Sequence, residues 1–190
     1  MTVAAGWWRR EYFFHRSRRA SRPLTRFQHT IAALRTVLPH PITHLSGFAS
    51  LNKEILKPHD TIHAILKSEC HFHGTLELSW GLPHGTKPEA DTFVFTGTKG
   101  WLSIRAGDKA MELVIKSSDD PTGEQVQEET FEEARRGVEL EVKSFFDAIS
   151  GTDDGLGLGD PSAALFDVAV IQAGLNSDGN LTDVRGLVAA

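Results

Sequence analysis

Apolar and polar side chains alternate along the stretch from Asp60 to Ala106, and turn residues divide this stretch into four runs. Residues two apart share one face of a strand, so each run predicts a β-strand with one apolar face and one more polar face. The segment Gly97-Thr98-Lys99-Gly100 separates the last two runs. Two glycines around a short polar pair suit a tight hairpin, because glycine accepts the positive φ angles of such turns.

The same alternation predicts strands before and after this stretch. Residues 42–51 form one run, and Met111, Leu113 and Ile115 mark another. Residues 125–131 are typical of a polar edge strand, because charges at an edge discourage pairing with other chains.

Spacings of three and four residues predict three helices around the strands. Ile31, Leu34 and Leu38 give such a spacing from Gln28 onward. An apolar stripe from residue 138 to 149 predicts a second helix. A third helix begins at residue 161, where Asp160 suits the N-cap and a proline takes the first position, and it ends near residue 175. Its side chains are apolar on most sides, so we expect it to be heavily buried.

These elements predict the α+β class. We expect an open, mainly antiparallel β-sheet of about six or seven strands, with helices packed on one face. The 190 residues, 40% of them hydrophobic and 24% charged, suit one globular domain with a real core. The single cysteine, Cys70, is compatible with a reducing compartment, and the expected location is the cytoplasm. No run approaches the roughly 20 apolar residues of a membrane helix, so no membrane partner is expected.

The first 26 residues differ from the rest in charge. They hold seven arginines and one acidic residue, while the remainder holds 13 basic and 24 acidic residues. An Arg- and Ser-rich, acid-poor segment is typical of a mitochondrial presequence, which is the alternative location. It can equally be a nucleic-acid-binding arm, a solvated tail, or a vestigial or non-native segment. Nucleic acid is the less favoured partner, because the acidic body would repel phosphates.

Several segments in order resemble one known family. DTIHA, GTLELSWG and FTGTKGWLSI look like the carboxy-terminal sheet domain of the Gfo/Idh/MocA oxidoreductases. GVELEVKSFFDAI and DPSAALFDVAVIQAGL are similar to the two helices that close that domain. The resemblance covers roughly residues 28 to 184, so residues 28–190 are expected to form the domain and residues 1–27 a basic, non-homologous or vestigial segment. It implies an NAD(P)-dependent oxidoreductase that acts on sugars, polyols or related small molecules.

The nucleotide-binding half that the resemblance implies is not found in the sequence. A Rossmann unit needs a strand, a Gly-rich turn and a helix N-terminus to hold the pyrophosphate. Residues 155–159 are rich in glycine, but no strand precedes them and the spacing is wrong. Leu56-Lys57-Pro58 resembles the family's Glu-Lys-Pro motif in the wrong element. We therefore expect an incomplete oxidoreductase that binds no cofactor alone, with a separate Rossmann-domain chain as a possible partner.

His29 is the candidate catalytic residue. The resemblance implies a general acid or base at a histidine that begins the helix after the substrate loop, with an aspartate four residues earlier. Thr25 occupies the position of that aspartate, so the expected carboxylate is missing. A helix-terminal polar residue without a catalytic role is the competing interpretation.

Seven histidines between His40 and His84 raise the question of a metal. A zinc site needs three or four converging ligands, and no familiar ligand spacing occurs, so no metal residue is assigned. The family implies that subunits pair through the outer face of the sheet, and bare apolar surface favours association. We expect a homo-oligomer through this face, or a non-enzymatic scaffold that keeps it. The face should carry His63, Ile65, His71, His73 and Thr75.

Overall fold

The computed structural model describes residues 22–69, 72–82, 91–107, 109–120, 122–152 and 159–188. They belong to two compact units, one within residues 1–83 and 137–190 and the other within residues 84–136. The elements of the first unit are α1 (Arg22–Val37), β1 (Ile42–Ser50), β2 (Thr61–Ser68), β3 (His73–Ser79), α2 (Gly137–Ile149), α3 (Pro161–Asn176), β8 (Thr182–Asp183) and α4 (Val184–Val188). The second unit holds β4 (Asp91–Gly97), β5 (Gly100–Ala106), β6 (Ala110–Ser117) and β7 (Gln127–Ala134).

The first unit contains a four-stranded sheet, sheet A, with the strand order β3-β2-β1-β8. Its strand pairs are antiparallel, and burial alternates along β2. The buried side of sheet A carries Leu45, Ile62, Ala64, Leu66, Leu76 and Leu78. Gly47 on β1 lets the backbones approach, because a Cβ there would lie 2.6 Å from the Cβ of Ala64.

Helix α3 covers the buried side of sheet A. Its N-cap, Asp160, accepts a hydrogen bond from the backbone N–H of Ser162 at 3.0 Å, and Pro161 follows the cap as predicted. Close packing on the sheet depends on Gly174, where a Cβ would lie 3.0 Å from the Cγ2 of Ile62. Helices α1 and α4 contact α3 in turn, so α3 is buried on several sides, as predicted.

The opposite side of sheet A, here called the outer face, is exposed. Ile65, at its centre, is 63% exposed. Strand register places three rows of side chains across β1, β2 and β3. These rows are Phe48–His63–Glu77, Ser46–Ile65–Thr75 and His44–Lys67–His73, and Asp183 on β8 lies opposite His44.

The second unit is sheet B, an antiparallel sheet with the order β4-β5-β6-β7. Gly97 and Gly100 pair across the predicted hairpin, and Gly100 has a φ of 153°. One face is apolar, with Phe93, Ile104, Leu113 and Phe131 in register across the four strands. Ion pairs such as Lys116 with Glu128 at 2.9 Å lie on the other face. The polar strand β7 lies at the edge, as predicted.

The α+β class with open antiparallel sheets and helices against one face is confirmed, and the strands are distributed over two sheets. One boundary was wrong: α1 begins at Arg22, six residues before Gln28. The reason is packing, since Phe27 is only 2% exposed and extends the buried stripe of Ile31 and Leu34 by one turn. The helix therefore crosses the boundary predicted between residues 27 and 28. The stripe on α2 lies along a helix as predicted, and its large side chains are exposed.

Candidate functional site

His29 lies within α1 and not at its start. The buried stripe of this helix runs through Phe27, Ile31 and Leu34, and His29 is on the exposed side. Thr25, at the position where the family has an aspartate, lies one turn earlier in the same helix. No hydrogen bond or ion pair is found for the His29 ring among residues 22–69 and the other described segments. An acid–base role for His29 stays a prediction, because a general base needs a partner and a substrate within hydrogen-bond reach.

A buried carboxylate closes the connection between β1 and β2. Asp60 is fully buried and accepts hydrogen bonds from the backbone N–H groups of Asn52 and Lys53, at 3.1 and 2.8 Å. The Asn52 side-chain amide and the Thr61 hydroxyl also donate to it, at 3.1 and 3.0 Å. Burial acts to raise the pKa of Asp60, but these hydrogen bonds outweigh burial and lower the pKa below its ordinary value. The carboxylate holds the loop in place and stays charged.

An ion pair joins α1 to α3. The Nε of Arg35 lies 3.0 Å from Oδ1 of Asp167, whose side chain is 3% exposed. Burial raises the pKa of Asp167, and the hydrogen bond and charge of Arg35 oppose this rise without cancelling it. A second contact, from Nη2 of Arg35 to Oδ2 at 3.4 Å, completes a forked arrangement.

A polar cavity of about 340 Å³ opens at the β8 end of sheet A. Inside it, Nδ1 of His44 lies 3.0 Å from the Thr43 hydroxyl, and Arg185 is paired with Glu69. Cationic and anionic groups balance one another, so the lining suits a neutral polar ligand better than a highly charged one. The residues around the cavity are Thr43, His44, Lys67, Ser68, Glu69, Asp183 and Arg185.

Neither a metal nor a dinucleotide fits the part of the chain that is described. No group of three or more histidine, cysteine or acidic side chains converges within it. His63 and His73 share the exposed outer face as predicted, but they lie opposite Glu77 and Lys67, and His71 is outside the described residues. The strand pairs of both sheets are antiparallel, whereas the dinucleotide crevice needs parallel strands joined by a helix. Residues 155–158 of the Gly-rich segment also lie outside the described part.

The sequence patterns missed the two buried carboxylates. Asp167 sits in an apolar helix, and its partner Arg35 is 132 residues away, so periodicity cannot pair them. Asp60 directly precedes a strand, where an acidic side chain commonly serves a turn. That position was the available signal for its role in the loop.

One curated relative resembles most of this chain. It is the dehydrogenase FPY6 of Fusarium mangiferae, which is 31% identical over 166 residues. The match covers 83% of this chain and 44% of the relative, so the chain spans less than half of that protein's length. No family model matches the chain.

Solved structures share the fold at low identity. An oxidoreductase from Thermotoga maritima has a TM-score of 0.56 at 21% identity and covers 84% of this chain and 43% of its own. The transcriptional regulator Gal80p of Kluyveromyces lactis has a TM-score of 0.65 at 19% identity, with 85% and 45% covered. An aldose–aldose oxidoreductase from Caulobacter crescentus has a TM-score of 0.59 at 13% identity, with 82% and 45% covered. The α+β fold of this chain is therefore also found in about half of each of these proteins. Among the described helices, none is both long and apolar enough to cross a bilayer.

Proposed function

We propose that this chain is the substrate-binding and subunit-association half of a Gfo/Idh/MocA-type NAD(P)-dependent oxidoreductase, and that it is not catalytic alone. The observation that carries the proposal is the 31% identity to a dehydrogenase over a segment equal to 44% of that protein. Two oxidoreductases with the same fold in about half of their length support it. The substrate class implied by the family is a sugar, a polyol or a related small molecule.

The proposed division of labour follows from what the described residues offer. They supply antiparallel sheets, a polar cavity and one exposed histidine in α1, but no parallel βαβ unit. NAD(P) chemistry would therefore need a nucleotide-binding domain from outside these residues. In that arrangement His29 is the proposed proton donor or acceptor, acting without the usual carboxylate partner.

A non-enzymatic self-associating scaffold or binding module is the alternative. The similarity to Gal80p, a transcriptional regulator, favours weighing it, because Gal80p is similar in fold at a TM-score of 0.65. The absence of a carboxylate at Thr25 points the same way. Fold similarity alone does not decide function, so the two candidates must be separated by experiment.

We further propose that two copies associate through the outer face of sheet A. Ile65 and Phe48 are 63% and 64% exposed on this face, and a bare face with apolar side chains favours association. Light scattering tests this: a dimer or larger species is expected. A stable monomer of 20.9 kDa at tens of micromolar protein would contradict it.

Cofactor binding by the chain alone is the first test of the enzymatic proposal. NADH and NADPH are added over the range from about 1 μM to 1 mM, where dehydrogenases commonly saturate, and nicotinamide fluorescence is followed. We expect no saturable change. Tight binding would refute the claim that another domain supplies the cofactor site.

Reconstitution separates the two candidates. The purified chain is mixed with the part of the Fusarium mangiferae dehydrogenase that it does not match, and NAD(P)H turnover is measured with a panel of sugars and polyols. Turnover that requires both components supports the split oxidoreductase. Association of the chain with itself, without turnover in the mixture, supports the scaffold.

The proposed location is the cytoplasm. The alternative is the mitochondrion, on the basis of the Arg-rich residues 1–26. A fluorescent fusion of the whole chain should fill the cytoplasm, and a mitochondrial signal that disappears when residues 1–21 are removed would favour a presequence.

A further inference from the structure

Three histidines share the outer face of sheet A, one on each of its long strands. His44 lies on β1, His63 on β2 and His73 on β3. His63 and His73 are exposed and His44 is half-buried. Histidine side chains gain a positive charge as the pH falls through about 6.5, so this face changes its charge close to neutral pH.

The charged neighbours of each histidine follow from the strand register. His44 lies opposite Lys67 on one side and Asp183 on the other. His73 also lies opposite Lys67, and His63 lies opposite Glu77. Glu69 and Arg185, at the end of the face, are paired with each other.

The net charge of the face therefore changes sign. With neutral histidines, Lys67 is outnumbered by Glu77 and Asp183, and the face carries a formal charge of −1. With all three histidines protonated the formal charge is +2. Two such faces in contact then repel each other about four times more strongly, because Coulomb energy scales with the product of the charges.

The repulsion arises whichever way a two-fold axis relates the two copies. An axis along the strands sets the His44–Lys67–His73 row against the same row of the partner. An axis across the strands sets that row against the row that contains His63. In both arrangements protonated imidazoles of the two copies come together in a poorly hydrated interface, where charge is costly.

The size of the face makes such a dimer sensitive to a few charges. Three strand spacings of about 4.8 Å and eight residues at about 3.4 Å each give roughly 400 Å² per copy. Two copies then bury roughly 800 Å², which is below the approximately 1,000 Å² expected of a stable interface. An association of this size is weak, so added repulsion can reverse it.

We propose that self-association through the outer face is switched by pH, with the dimer stable above neutral pH and dissociating when His44, His63 and His73 are protonated. The switch rests on the association proposed above. It adds a regulation to that interface, with the three imidazoles as the sensor.

Sedimentation velocity at pH 8.0 and pH 5.5, at one ionic strength, tests the switch. The formal charge of the whole chain is −5 with neutral histidines and would be +4 with all nine protonated, so the repulsion between whole molecules is similar at the two values. We expect the dimer dissociation constant to rise at least tenfold at pH 5.5. Equal dissociation constants at the two pH values would overturn the switch while leaving the interface intact.

Two matched variants assign the effect to the face. The triple variant H44Q/H63Q/H73Q should remain a dimer at both pH values, because its face cannot gain charge. The variant H29Q/H40Q/H59Q removes the same number of histidines elsewhere and should keep the pH dependence. Dissociation of H44Q/H63Q/H73Q at pH 5.5 would overturn the assignment to the outer face. A wild-type monomer at pH 8.0 would overturn the interface itself, and the switch with it.

Discussion

Arg35 and Asp167 join α1 to α3 through an ion pair in which the carboxylate is almost closed to solvent, at 3% exposure of its side chain. Replacing Asp167 by alanine leaves the guanidinium without its partner. We expect D167A to lower the free energy of unfolding by about 3 kcal/mol, the lower end of the cost of breaking a buried pair, since Arg35 retains 23% exposure. Urea denaturation at pH 7 measures this.

The exposed pair of Glu54 and Lys57 provides the control. Both side chains are more than half exposed, so E54A should change the free energy of unfolding by less than about 0.5 kcal/mol. Replacing both members of the buried pair, in R35M/D167L, should recover most of the loss from D167A. A double variant as unstable as D167A would show that the cost lies in lost packing and not in an unpaired charge.

Asp60 gives the fold a dependence on acid pH. Its lowered pKa means that the folded state favours the charged form, so its contribution is present above the ordinary pKa of 3.8 and is lost as the pH falls further. Asp60→Asn places an amide where N–H groups of Asn52 and Lys53 donate. We expect a loss of about 2 kcal/mol at pH 7, as for a hydrogen bond to a charged group.

The same loss should shrink as the pH falls below about 4, because the native chain then loses the carboxylate as well. Urea midpoints at pH 7 and pH 3 measure the difference between the two proteins. D160N is a suitable comparison, since Asp160 is an exposed cap and amides cap helices well. A D60N penalty that is unchanged between pH 7 and pH 3 would contradict the assignment of charge to Asp60.

Gly47 permits the close approach of β1 and β2. A Cβ at this position would lie 2.6 Å from the Cβ of Ala64 and 2.6 Å from the carbonyl oxygen of His63, so the strands would have to separate. We expect Gly47→Ala to destabilise the fold by about 2 kcal/mol or more, as for overpacking in a core. Thermal unfolding measures it, with Gly159→Ala as control because nothing lies within 4 Å of a Cβ there. Equal melting temperatures for the two variants would contradict the steric argument.

Local patterns predicted the elements well because their signals are short-range. Alternation found β2 and β3, since each has a buried and an exposed side. The glycines at 97 and 100 located the hairpin, and Asp160 with Pro161 located the start of α3. Each of these features is decided within a few residues of chain.

Long-range pairing was not predictable in the same way. The pairing of β1 with β8 joins His44 to Asp183, and no local periodicity records this. The division of the strands into two sheets is decided by which strands pair, not by the character of each strand. The start of α1 was missed although Phe27 continues the stripe of Ile31, because the surrounding arginines hid a single apolar position.

Ile65 offers the sharpest test of association through sheet A. Its side chain is 63% exposed at the centre of the outer face, opposite Thr75 on β3. Ile65→Asp adds a charge that a face-to-face dimer would have to bury, whereas the monomer keeps it in water. We expect I65D to weaken the dimer at least tenfold, and I65D/T75D further. Each monomer should lose no more than about 1 kcal/mol of stability, the span of strand propensities.

Ile55→Asp makes the same chemical change away from the sheet. Ile55 is 81% exposed in the short turn at Glu54–Leu56, so its variant should associate like the native chain. Light scattering over a dilution series compares the three proteins at pH 8.0. Non-specific aggregation through apolar surface would respond alike to I55D and I65D, because both remove one exposed isoleucine and add one charge. An I65D variant that unfolds normally and still forms the native dimer would exclude the outer face as the interface.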